Sequence, residues 1–113
     1  MTAGMRVCAL AELEEGKPFG SFAGDVPVVL VRDGDAVHAL RDECSHAELA
    51  LSEGEISTGR GGRLRIECWL HGSCFDVRTG EPSSPPATEP VDVYAVTIAD
   101  ADVYVDTGTP INH

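Results

Sequence analysis

Cys44-Ser45-His46 and Cys68-Trp69-Leu70-His71 are two short pairs of metal-binding side chains in a chain of 113 residues. Together they supply two thiolates and two imidazoles, each pair beside a glycine-containing loop. One zinc ion would take all four in a tetrahedron, and a mixed sulfur and nitrogen set is ordinary zinc chemistry. A [2Fe-2S] cluster would divide them, with two cysteines on one iron and two histidines on the other. Ligand count alone leaves both open. A thiolate nucleophile would need one Cys and one His, so the duplicated pair argues against that chemistry. The chain has no phosphate loop, no dinucleotide fingerprint and no separate acidic pair placed for hydrolysis.

The elements that must hold these pairs read as short strands joined by tight turns. Arg6 to Leu10 and Val28 to Arg32 are apolar enough for strands, and Asp33-Gly34 followed by Ala36 to Leu40 signals a hairpin. Leu64-Arg65-Ile66-Glu67 alternates apolar and polar side chains after Gly59-Arg60-Gly61-Gly62, so a turn feeds a half-buried strand ending at Cys68. Val91, Val93, Tyr94 to Ile98 and Val103 to Val105 complete the sheets. Helix is scarce, with at most a turn at Glu12 to Glu15. Gly54 and the glycines of 59–62 read as turn residues. Leu49, Leu51, Trp69 and Leu70 flank the ligands, where core packing or an apolar rim around the site is expected. His38 and His113 belong to neither pair and read as structural or solvent histidines.

Composition sets the frame. A chain of this length should form one domain, 1–113, with a core large enough to fold. The run Val28 to Val31 is far too short to cross a bilayer, and no basic segment followed by an apolar stretch opens the sequence. A cytoplasmic protein that does not engage membranes is the expectation. Eight basic against 19 acidic side chains give a formal net charge of -11. Such a surface repels nucleic acid and anionic lipid, and favours a partner with a basic docking patch. Beyond the two motif cysteines, Cys8 reads as a small buried hydrophobe and Cys74 as a strand residue near the site.

Read in full, Cys-Ser-His-Ala-Glu-Leu-Ala-Leu at 44–51 and Cys-Trp-Leu-His-Gly-Ser-Cys-Phe-Asp at 68–76, followed by Thr79-Gly80 and Pro85-Pro86-Ala87, resemble the two cluster loops and the proline loop of Rieske-type ferredoxins. The similarity to the small soluble bacterial members runs from about Val7 to Val105. It implies an all-β Rieske iron-sulfur fold, stacked antiparallel sheets with a small cluster-binding subdomain, and a proline loop over about 79–90. It implies one [2Fe-2S] cluster, with Cys44 and Cys68 on one iron and His46 and His71 on the other. In this family the outer iron is reached through Nδ1, leaving the Nε2 edges near solvent as an electron exit.

The resemblance also assigns surrounding residues. Pro85 and Pro86 would lie over the cluster as a stiff lid, while Gly72, beside His71, has by its own backbone freedom the means to let the chain turn close to the metal. Ser73 would donate to a bridging sulfide, whereas Phe75 stands where high-potential members have a tyrosine that donates to a ligand sulfur. Some of those members link the two loops by a disulfide, at the positions of Leu49 and Leu70 here, so that bridge is impossible. The implied function is one-electron transfer from a flavin-dependent reductase to a terminal oxygenase or another redox partner. The chain itself has no catalytic residues on this reading, and 113 residues leave no room for the second, mononuclear-iron domain of an oxygenase. The rival readings are a structural zinc module and a docking or regulatory subunit of a larger oxidoreductase or iron-sulfur assembly system.

Overall fold

Nine strands and two 3-10 turns make up the regular structure of the computed structural model, which describes residues 4–34, 36–43, 50–58, 64–68, 74–82, 90–108 and 111. In chain order the strands are β1 (Met5–Ala9), β2 (Phe19–Ala23), β3 (Val26–Asp33), β4 (Ala36–Arg41), β5 (Glu55–Thr58), β6 (Leu64–Glu67), β7 (Cys74–Asp76), β8 (Val93–Ala99) and β9 (Asp102–Asp106). Six form one sheet in the order β1-β9-β8-β4-β3-β2, and the other three a smaller sheet, β5-β6-β7. Every pairing between these strands is antiparallel. The large sheet curls until its edges approach. A Cβ on Gly24, just after β2, would meet Met5 Cε of β1 at 2.6 Å, so the sheet is nearly closed into a barrel.

The unbroken aliphatic run in β3 has a physical cause. Side chains alternate faces along a strand, and both faces of β3 are covered. Val28 and Leu30 point into the barrel with Cys8, Ala39, Tyr94, Val103 and Val105. Val29 and Val31 point outward and pack against the small sheet through Leu51, Ile66, Phe75 and Val77. At about 1.5–3 kcal/mol for each fully buried side chain, exposing those four would cost roughly 6–12 kcal/mol. That is comparable with the whole net stability of a domain, about 5–15 kcal/mol, so the small sheet stays docked on the barrel.

Local boundaries follow side-chain chemistry. The expected turn at Glu12 to Glu15 forms earlier, at Leu10–Glu12, because the Glu12 carboxylate reaches back to accept from Ala9 N–H at 2.7 Å. The β3–β4 hairpin turns at Gly34, φ +63°, with Asp33 paired to Ala36. A second hairpin, β8–β9, turns through Asp100 and Ala101, both left-handed at φ +52° and +64°. The second 3-10 turn, Leu51–Glu53, joins the segment after His46 to β5.

Candidate metal centre

Of the expected ligands, Cys68 lies among the described residues; Cys44, His46 and His71 lie outside them, as do Gly72, Ser73, Pro85 and Pro86. Cys68 directly follows β6 and is 1% exposed. It shares an apolar layer with Leu51, Ile66, Phe75 and Val77. A soft sulfur donor in such a low-dielectric layer suits an iron-sulfur group, whose properties depend on burial and on the groups around its sulfurs. Among the described residues, no group of three or more His, Cys, Asp or Glu side chains is placed to hold a metal ion.

Described residues fix the base of each segment that carries expected site residues. Around 44–49, Asp42 and Ser52 join directly: Ser52 N–H donates to Asp42 Oδ1 at 2.7 Å, and Ser52 Oγ donates to Oδ2 at 2.6 Å. Asp42 is itself tied to the barrel, its N–H donating to Pro27 O at 3.0 Å. Around 69–73, Glu67 of β6 pairs with Cys74 of β7. Around 83–89, Val91 N–H donates to Gly80 O at 2.9 Å, while Pro82 bridges to Phe75. Asp76 organises the turn before that segment, its Oδ1 accepting from Arg78 N–H at 2.8 Å and Thr79 N–H at 3.3 Å.

Two glycines permit close approach. A Cβ on Gly20 of β2 would meet Ser52 Oγ at 2.7 Å and Asp42 Oδ2 at 3.2 Å. A Cβ on Gly54 would run into the carbonyl oxygen of Glu67, the residue before Cys68. The Gly54 φ is -86°, so its missing side chain matters and its conformational freedom does not. Asp42, Ser52 and Gly20 escaped the sequence reading. Asp and Ser near a metal motif are common turn formers, and a bond between positions 42 and 52 has no local pattern.

The other sequence-selected residues fall into two groups. Phe75 and Leu51 are fully buried in the layer shared with Cys68, and Cys8 is buried in the barrel. Cys74 is buried in β7, and its thiol donates to Glu67 Oε2 at 3.9 Å. Burial first, then the Glu67 charge and hydrogen bond, push that thiol up against the opposing pull of Arg65. It therefore remains a protonated thiol, unlike a ligating thiolate. His38, half-buried in β4, has its pKa lowered, chiefly by burial. Leu49, Trp69, Leu70 and His113 lie outside the described residues.

The model of the Rieske [2Fe-2S] domain matches residues 4–95. The chain is 41% identical over 100 residues to the anthranilate 1,2-dioxygenase ferredoxin subunit of Burkholderia cepacia, covering 88% of each. It is 36% identical over 102 residues to ferredoxin CarAc of Metapseudomonas resinovorans, covering 89% of this chain and 91% of that one. Among solved structures, the ferredoxin of carbazole 1,9a-dioxygenase from Nocardioides aromaticivorans superposes with a TM-score of 0.84 at 38% identity, covering 92% of this chain and 97% of that one. With a buried cysteine at the end of β6, a matching fold and relatives of equal length, the chain belongs to the Rieske [2Fe-2S] family, as one of its electron-carrying ferredoxins.

Proposed function

We propose that this ferredoxin passes single electrons from a flavin-dependent reductase to the terminal oxygenase of an aromatic-ring dioxygenase system. The observation that carries the reading is the buried Cys68 at the end of β6 in the docked β5-β6-β7 sheet, in a chain of which the dioxygenase ferredoxins match 88–92%. In this reading Cys44 and Cys68 hold one iron and His46 and His71 the other. A [2Fe-2S] cluster with two thiolate and two imidazole ligands carries less negative charge than an all-cysteine one and accepts an electron more easily.

The protein's own contribution is preorganisation. Cys68 is held by β6 and by the apolar layer under it. The segments on either side of Cys44 and His46 are joined by Asp42 and Ser52, and the proline segment is closed at Gly80 and Val91. Fixed ligands leave little to rearrange when charge changes, the logic that also applies to preorganised catalytic sites. Gly72, Ser73, Pro85 and Pro86 complete the surroundings in this reading, with Ser73 as a sulfide donor. In this reading the chain acts as a single Rieske domain in the cytoplasm.

Metal analysis of anaerobically prepared protein tests the reading. Two irons and two acid-labile sulfides per chain, with a brown-red colour that bleaches on reduction, are expected. Zinc at one per chain, colourless and without labile sulfide in cell-derived material, would contradict it.

A further inference from the structure

We propose that Asp42, Ser52 and Gly20 form a noncovalent latch that positions the ligand-bearing segment between residues 42 and 52. The inference rests on the Rieske reading of Cys44 and His46 and assigns a positioning role to residues outside the ligand set. Both carboxylate oxygens of Asp42 are engaged by one residue, Ser52, through its amide and its hydroxyl at 2.7 and 2.6 Å. Such short, charge-assisted bonds are stronger than neutral ones. They join the chain just before Cys44 to the chain just after 44–49, and so close that segment at its base.

The latch is anchored on two sides. Gly20 of β2 leaves the room that Ser52 Oγ and Asp42 Oδ2 occupy, so the barrel wall forms its back. Ser52 lies in the Leu51–Glu53 turn, held by Leu51 in the buried layer and by Gly54 N–H donating to Leu51 O at 2.9 Å. Gly54 then sits directly against the carbonyl of Glu67, the residue before Cys68. A continuous line of contacts therefore runs from β2 through Asp42 and Ser52 to the backbone holding Cys68. It ties the base of the segment that carries Cys44 and His46 to the backbone just before Cys68. A loop-to-loop disulfide at Leu49 and Leu70 is impossible here, and the latch supplies a cross-connection by hydrogen bonds.

Four holoprotein variants test this: Asp42→Ala, Asp42→Asn, Ser52→Ala and Gly20→Ala. The readouts are iron release to a chelator and the electron paramagnetic resonance line shape of the reduced protein. Asp42→Ala and Gly20→Ala should release iron about tenfold faster or more, with broadened lines, because a charged hydrogen-bonded pair is lost or displaced. Ser52→Ala, which keeps the amide bond, should show a smaller increase. Asp42→Asn keeps the shape and both bonds without the charge, with its oxygen facing the Ser52 amide and its NH2 facing the hydroxyl, and should fall between wild type and Asp42→Ala. Gly20→Ala removes no hydrogen-bonding group, so its effect isolates the fit.

Asp42→Asn behaving like Asp42→Ala would overturn the latch in favour of a plain charge effect. Release within about twofold of wild type in Ser52→Ala and Gly20→Ala, with unchanged lines, would also overturn it, even if Asp42→Ala fails to assemble. A wild-type protein that carries zinc in place of iron would instead overturn the Rieske reading beneath it.

Discussion

One hydroxyl separates Phe75 from the tyrosine of high-potential Rieske proteins, and the phenyl ring is fully buried in the layer that holds Cys68. Donors to ligand sulfur stabilise the more negative reduced state. Phe75→Tyr should therefore raise the reduction potential, which lies for this class within a range of roughly -150 to +300 mV; an unchanged potential with full occupancy would rule out a hydroxyl within reach of sulfur. His38 makes a different prediction. Burial lowers its pKa below the ordinary 6.5, against the pull of Asp33. The unfolded chain then binds a proton more readily than the folded one, so the stability from neutral His38 is present above 6.5 and lost as pH falls through the folded value. His38→Gln should flatten the fall in urea midpoint between about pH 8 and about pH 5 and leave the visible spectrum unchanged. An equal acid loss in the variant would refute the assignment. At this scale the sequence was readable where a residue's setting is strongly apolar, as with Cys8. Asp42 and Ser52 are common turn residues, and their importance comes from a meeting across ten positions that only the fold creates.

Strand elements reveal what apolar patterning can and cannot carry. β3 was legible because both its faces are buried and its sequence is correspondingly continuous in Val and Leu. β6 was legible because one face is buried and its residues alternate. β2 and β5 carried no such signal. β2 is an edge strand of Phe-Gly-Ser-Phe-Ala whose Phe22 is 64% exposed, and β5 is an edge strand with Ile56 as its one large apolar side chain. Edge strands bury little, so their sequences are weakly constrained. The β8–β9 turn hid for another reason: it places Asp100 and Ala101 in left-handed conformations that favour glycine or asparagine. Steric relief at such a position is about 1–2 kcal/mol, against about 0.5–1 kcal/mol for glycine's greater freedom in the unfolded chain. Ala101→Gly should thus stabilise the protein by about 0.5–1 kcal/mol. Denaturant unfolding checks it, and a loss of stability would show that the turn relaxes in solution.

Across the whole molecule, a nearly closed barrel serves as a platform on which a three-stranded sheet is docked through a shared apolar layer. The barrel anchors the base of the segment that carries Cys44 and His46, the docked sheet carries Cys68, and the bond from Val91 N–H to Gly80 O closes the base of the proline segment. The two-part architecture was legible from the family motifs. The curl of the large sheet was not, because closure depends on how β1 and β2 meet at Gly24 and leaves no mark in either strand's pattern. A net charge of -11 completes the picture of a carrier that meets partners briefly, since complementary charge speeds encounter more than it tightens binding. The central claim is one-electron transfer at a centre whose outer ligands are His46 and His71. If His46 and His71 hold the outer iron, oxidation would place extra positive charge next to those imidazoles and favour loss of their distal protons, which would link electron and proton binding. Film voltammetry as a function of pH is the most direct test: the potential should fall with rising pH in the alkaline range, and a potential that stays flat there while the cluster remains intact would contradict histidine ligation.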